Sequence, residues 1–223
     1  LLDAVSRELF DAVTPMCRLV ELPTRTLLHE QGEMPLYGYF LCSGVASMVV
    51  SMAEGGSAEV GLIGREGVIG AMHILGPTPP PAQCFVQMEA TALRIRLEDL
   101  RTMFRGSPEL REKILEFVQE QNVTLEQIAA CNKLHETEAR LARWLLMNRD
   151  RADQDTMTMT QEFLADMLGT RRTTVTLVAG SLQRRGLIDY RRGKVTVLNH
   201  AGLEQAACAC YGVTKQALKN LYK

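Results

Sequence analysis

The sequence predicts an α+β chain in three successive parts: an antiparallel β-sandwich or barrel, one long helix, and a small helical domain carrying a β-hairpin. Three observations carry this reading. Residues 15–100 alternate short apolar runs with Gly, Pro and polar turn residues, the pattern of an all-β sandwich or barrel. Residues 108–133 repeat apolar or small side chains at spacings of three and four, as a long amphipathic helix does. Residues 160–198 run helix, glycine turn, helix and then a short basic hairpin. The boundaries fall at 1–106, 107–135 and 136–223.

The chain opens with LLDAVSRELFDAV, which reads as a short amphipathic helix and lacks the basic and apolar regions of an export signal. Strands are expected at Arg18–Leu22, Thr26–His29, Tyr37–Cys42, Val45–Met52, Ala58–Ile63, Cys84–Met88 and Thr91–Arg96. Turn residues such as Gln31-Gly32-Glu33, Ser43-Gly44 and Glu54-Gly55-Gly56 separate them, and Gly32 and Gly44 read as positive-φ glycines. A short helix, Glu98–Phe104, follows the last strand. Ser107 and Pro108 then read as N-cap and first residue of the long helix. That helix has two possible uses, packing on its own β-roll and pairing with a second subunit, and both can hold on different faces. The seam residues expected are Ile114, Phe117, Val118, Gln121, Leu125 and Ile128, with polar Gln121 fixing register.

Residues 134–138 form a hinge into a helix through Leu146, with Leu141, Ala142, Leu145 and Leu146 inward and Arg140 and Arg143 outward. Trp144, the single tryptophan, is placed at the domain junction. A polar loop at Asp150–Asp155 and a short strand near Met157–Met159 come next. The first helix of the helix–turn–helix spans Gln161–Leu168, with Thr160 as N-cap and Gly169 as a left-handed C-cap. Thr170 is read as the cap of the second helix, whose first turns crowd Arg171, Arg172, Thr173, Thr174 and Thr176. Basic and hydroxyl side chains there suit a recognition helix in a major groove. Two strands around Arg192-Gly193-Lys194 make a basic wing. A helix from Asn199 to about Tyr211 is expected, broken at Gly212.

Charge is divided along the chain. Residues 1–135 carry 11 Lys and Arg against 17 Asp and Glu, a net of −6, and residues 136–223 carry 14 against 9, a net of +5. A basic C-terminal part suits a phosphate partner, and an acidic N-terminal part does not. No apolar run is long enough for a membrane span. The six cysteines include no CxxC pair, and their scatter argues against a zinc site or disulfide scaffold and for a reducing cytoplasm. Cys208 and Cys210 read as small helix residues, and His73 as an ordinary packed or surface histidine. No Ser/His/Asp, HExxH or P-loop pattern supports an enzyme.

Thr160 to Leu198 resembles the winged helix-turn-helix of the Crp/Fnr family of bacterial transcription regulators. Leu28–Glu33 with Phe40–Gly44 is similar to the β-roll of cyclic-nucleotide-binding domains, so the resemblance covers nearly the whole chain and implies that the N-terminal part is a jelly roll, a double-stranded β-helix, serving as a sensor domain. It implies a cytoplasmic homodimer bound to double-stranded DNA, with RNA polymerase as a further partner if the protein activates. DNA contacts are expected from Thr160, Gln161, Arg171, Arg172, Thr173, Thr174, Thr176, Arg191, Arg192 and Lys194. Arg172 matches the first base-reading Arg of Crp, whereas Thr173 replaces a Glu and Leu177 a second Arg, so the Crp operator is not implied.

Gly64–Gly70 resembles the start of a phosphate-binding cassette, which makes Glu66, Gly67, Val68, Ile69 and Gly70 the candidate effector pocket. Cyclic-nucleotide binders place an Arg about a dozen residues on. Here Gly76–Cys84 contains no Arg or Lys. A buried phosphate without that partner loses on the order of several kcal/mol. Cyclic AMP is therefore not the expected effector, and no cofactor or metal is assigned. The tight N-terminal cysteine group of Fnr-like iron–sulfur sensors is missing as well. Two alternatives stay open: a β-roll module acting through a protein partner, and a regulator responding to a cyclic mono- or dinucleotide.

Overall fold

The computed structural model describes residues 1–223. The N-terminal segment is not one helix. A 3₁₀ turn precedes helix α1 (Arg7–Val13), whose start is set by the Ser6 hydroxyl accepting from the Leu9 amide. The strands that follow are β1 (Arg18–Leu22), β2 (Leu27–His29), β3 (Tyr37–Leu41), β4 (Val45–Ser51), β5 (Ser57–Ile63) and β6 (Val68–Ile69). Helix α2 (Ala71–Leu75), β7 (Gln83–Met88) and β8 (Ala90–Arg96) complete the roll. Two four-stranded antiparallel sheets result, ordered β1-β8-β3-β6 and β2-β7-β4-β5. The seven strands expected from apolar alternation are present to within one residue at each end. β6 is an addition to these seven, because a two-residue strand carries no periodicity in the sequence.

Helices α3 (Leu97–Gly106) and α4 (Pro108–Leu134) leave the roll. The Ser107 hydroxyl accepts from the Leu110 amide and Pro108 takes the first turn, where a missing N–H costs nothing. The remaining elements are α5 (Thr137–Ala152), β9 (Thr156–Thr158), α6 (Gln161–Leu168), α7 (Arg172–Arg184), β10 (Ile188–Arg191), β11 (Lys194–Val197), α8 (His200–Ala206) and α9 (Cys210–Asn220). The sheet of this part runs β10-β11-β9. Helix α5 runs on into the loop expected from Asp150 and stops where Asp153 turns left-handed, at φ 54°. The break after α8 falls at Ala207–Ala209, and Gly212 lies inside α9.

Strand alternation, shifted by an irregularity where Val45 and Ala46 pair with Met88 and Val86, divides the side chains of the β2-β7-β4-β5 sheet. Ala46, Cys84 and Val86 point into the roll, while Val45, Val49, Leu62 and Met88 join the core of the helical part. α5 and α6 therefore lie on the outer face of this sheet. Phe85 of β7, Phe163 of α6 and Trp144 of α5 meet edge to face. Polar groups are paired at the same boundary: Trp144 Nε1 donates to Glu59 Oε1 at 2.8 Å, Ser47 Oγ donates to Glu59 Oε2 at 2.8 Å, and Gln87 donates to Asn148. Arg140 and Arg143, expected outward, are buried, at 9% and 3% exposure, and Arg140 donates to the Leu168 carbonyl of α6.

Helix α4 has three faces. One buries Leu110, Ile114, Phe117, Gln121 and Ile128 within the chain. A second packs along α9. The third holds Leu115, Val118, Asn122, Leu125 and Ala129, all exposed or half-exposed. Of the six expected seam residues, Ile114, Phe117, Gln121 and Ile128 are thus interior, and Gln121 Nε2 donates to the Leu62 carbonyl at 3.1 Å. Only Val118 and Leu125 stay half-exposed.

Candidate nucleic-acid interface

The helix–turn–helix is set by its caps. The Thr160 hydroxyl accepts from the Phe163 amide at 3.1 Å, and Gly169 ends α6 at φ 56°. The second cap differs from expectation: Arg171, not Thr170, holds the N-cap position of α7, and no side chain caps it. The first amides of α7 therefore remain free to meet an anion, as at any uncapped helix N-terminus. Val175, Ala179 and Leu182 anchor the inner face of α7. Arg171, Arg172, Thr173, Thr176 and Leu177 are exposed along its outer face.

The wing closes over the start of this motif. Arg192 and Gly193 have φ of 49° and 74°, the signature of a two-residue turn that matches strand twist. The Met159 amide donates to the Gly193 carbonyl at 2.7 Å, which ties the wing tip to the entry of α6. Tyr190 donates its hydroxyl to the Met159 carbonyl at 2.9 Å, and burial raises the pKa of that hydroxyl. A cleft lined by Thr160, Gln161, Glu162, Arg172, Tyr190 and Arg192 results. Thr176 Oγ1 lies 2.8 Å from Gln161 Oε1, linking the two helices at this point.

Ten residues are expected at DNA, and the fold divides them. Thr160, Gln161, Arg172 and Arg192 share the cleft. Arg191 and Lys194 are exposed on the wing, where Arg191 pairs with Asp189 at 2.9 Å. An exposed pair of this kind is worth under about 1 kcal/mol, so a phosphate can replace the carboxylate. Arg171 and Thr174 line a groove against the β4–β5 turn at Gly55 and Gly56. Leu177, 72% exposed in mid-helix, was not among the expected contacts. An apolar residue on the outer face of a basic helix was the signal for it.

Residues of the expected effector pocket take partners within the chain. Glu66 Oε1 accepts from Arg151 Nε of α5 at 2.8 Å and from the Gly64 amide at 3.0 Å. Gly67 abuts the Phe117 ring so closely that a Cβ there would lie 2.1 Å from it. Val68 and Ile69 are interior strand residues, and Gly70 turns left-handed ahead of α2.

Residues 139–206 match the Crp-like helix-turn-helix domain, and residues 19–107 match the cyclic nucleotide-binding domain. Among solved structures, the chain is similar to FixK2 from Bradyrhizobium japonicum, with 15% identity, 86% of this chain and 98% of that chain covered, and a TM-score of 0.72. A CRP-family transcriptional regulator from Thermus thermophilus gives 21% identity, 84% and 96% coverage, and a TM-score of 0.71. The c-di-GMP-responsive global regulator CLP of Xanthomonas campestris gives 17% identity, 86% and 99% coverage, and a TM-score of 0.71. No curated protein matches the chain in sequence.

Proposed function

A chain that joins a cyclic nucleotide-binding domain to a Crp-like helix-turn-helix domain belongs to the Crp/Fnr transcriptional regulators, and from that premise we propose that it binds a near-palindromic operator as a homodimer and is not switched by cyclic AMP. The observation that carries the operator reading is the exposed Arg172-Thr173 start of α7 beside the basic wing. Two such helices, one per subunit, meet successive major grooves about 34 Å apart. Arg172 reads a base edge, Arg191, Arg192 and Lys194 hold phosphates, and Leu177 contacts a thymine methyl.

The third face of α4 supports a homodimer. Leu115, Val118, Asn122, Leu125 and Ala129 follow a heptad in which Leu115, Asn122 and Ala129 share one position and Val118 and Leu125 the other. A lone Asn at the first of these positions favours two parallel strands in one register. In this reading Asn122, not Gln121, fixes register. The cyclic AMP reading rests on the uncharged Gly76–Cys84 segment and on Glu66 being paired with Arg151.

Selection of bound duplexes from a random pool tests the operator. The expected product is an inverted repeat with half-sites one helical turn apart, and recovery of single half-sites only would refute the dimeric mode. Calorimetric titration with cyclic AMP should give no binding heat. A one-per-chain isotherm of micromolar affinity would refute that part.

A further inference from the structure

Four potential ligands from separate parts of the chain converge where α4, the hinge and α9 meet. Cys131 lies in the last turn of α4, His135 is the C-cap of that helix, Cys208 lies in the break between α8 and α9, and Cys210 opens α9. Their Sγ and ring-nitrogen atoms all lie within 4.8 Å of one another. Cys131 Sγ is 3.3 Å from Cys208 Sγ, and Cys210 Sγ is 3.5 Å from His135 Nδ1. Zinc binds thiolate sulfur at about 2.3 Å and imidazole nitrogen at about 2.0–2.1 Å, so ligand atoms at the corners of a tetrahedron stand roughly 3.5–3.8 Å apart. These two edges are therefore within about 0.5 Å of that geometry, and the remaining edges lie within 4.8 Å. We infer that Cys131, His135, Cys208 and Cys210 form a site for a zinc-type cation that fastens the C-terminal helix to the end of α4 and the hinge.

The surroundings fit an anionic thiolate centre. The three cysteines are buried and His135 is exposed, which leaves an entry path from the hinge. Gln127 Nε2 lies 3.0 Å from Cys210 Sγ, placed to hold a ligating sulfur in position. Arg140 and Arg143 are buried close enough for their charge to act on the cysteines. Their hydrogen-bond partners are neutral, the Leu168 carbonyl and the Met147 sulfur, and Nε of each has none. Neither guanidinium hydrogen-bonds a carboxylate, although Arg143 also lies close enough to act on the Glu59 carboxyl, and buried cations are costly unless an anion lies nearby. A centre of Zn²⁺, three thiolates and neutral histidine carries one net negative charge and supplies it. Binding is balanced by release of the three thiol protons to solvent.

The cysteine scatter that argued against zinc in the sequence does not bear on this site, because its ligands come from two segments about 75 residues apart. Cys131 and His135 are four residues apart on one helical face, and Cys208 and Cys210 bracket one alanine. The set is closed, with four protein ligands, which suits a structural rather than a catalytic zinc. Soft thiolate ligands also disfavour magnesium and calcium.

Cobalt(II) added to the full-length protein, reduced and stripped with a chelator, tests the inference. One Co²⁺ per chain should bind with a thiolate charge-transfer band and strong tetrahedral d–d absorption, and an equivalent of Zn²⁺ should bleach both. Cys208→Ser should abolish the charge-transfer band or shift it strongly, whereas Cys17→Ser and Cys42→Ser should leave it unchanged. If the buried serine variants fail to fold, His135→Ala keeps the test sharp, because its side chain is exposed: it should weaken Co²⁺ binding and move the d–d bands. Folded wild-type protein without a charge-transfer band overturns the site, as does a band indifferent to both Cys208→Ser and His135→Ala.

Discussion

Arg172 and Lys194 separate two kinds of contact that a bound structure alone would blur. Arg172 opens α7 beside the wing cleft, where a guanidinium can fork onto guanine O6 and N7. Arg172→Ala should cost about 1–3 kcal/mol on the operator and relax preference at one base pair of each half-site. Lys194 lies on the wing, and Lys194→Ala should weaken every sequence alike and reduce the salt slope by about one phosphate per subunit. Titrations of both variants on the operator and on single-base variants, at two salt concentrations, check this. Uniform weakening by Arg172→Ala would reassign it to phosphate. At this scale the sequence showed which residues are basic and where each helix begins, because caps are local. It did not show that Arg140 and Arg143 are buried, because that depends on partners from other elements, such as the Leu168 carbonyl of α6 against Arg140 and Glu59 and the buried cysteines near Arg143.

Helix α4 shows how far periodicity reaches. Spacings of three and four identify the helix and its length, and the structure ends it one residue from the expected position. They do not say which partner each face takes, because all three faces repeat at the same spacing. The interior face takes the larger residues Phe117 and Ile128, and the outer face is left with Leu115, Val118 and Leu125. Two substitutions distinguish them. Leu125→Glu places like charges across the proposed seam and should shift the protein to monomer in sedimentation with its folded signal intact. Ile128→Glu, by contrast, buries a charge in the chain's own core and should destabilise by several kcal/mol through its desolvation. A Leu125→Glu protein that remains dimeric would remove α4 from the subunit interface.

Over the whole molecule, the two domains are held together by contacts that no local pattern could reveal. Glu59 is the informative one. It sits on β5, buried at the boundary, and accepts from Ser47 and from Trp144 of α5. Burial pushes its carboxyl up to about 7, against the opposing pull of those hydrogen bonds and of the Arg143 and Arg151 charges. In the unfolded or undocked chain the same carboxyl titrates at its ordinary value of 4.5. A raised folded value means that the native state holds a proton the other state has already lost. Stability from this group is therefore fully present below 4.5, declines as pH rises towards about 7, and stays lost above it. The span corresponds to roughly 3 kcal/mol. Trp144, the only tryptophan, donates to this carboxylate, so its fluorescence should titrate with a midpoint near 7. Glu59→Gln keeps an acceptor for Trp144 and removes the charge, and it should flatten that titration and raise the melting temperature more at pH 8 than at pH 5. The β4–β5 turn that shares this sheet also lines the groove beside Arg171 and Thr174. Loosening the boundary at high pH should then increase operator affinity in the wild type more than in Glu59→Gln at equal salt. If both proteins respond alike, Glu59 holds the boundary without governing access to the recognition helix.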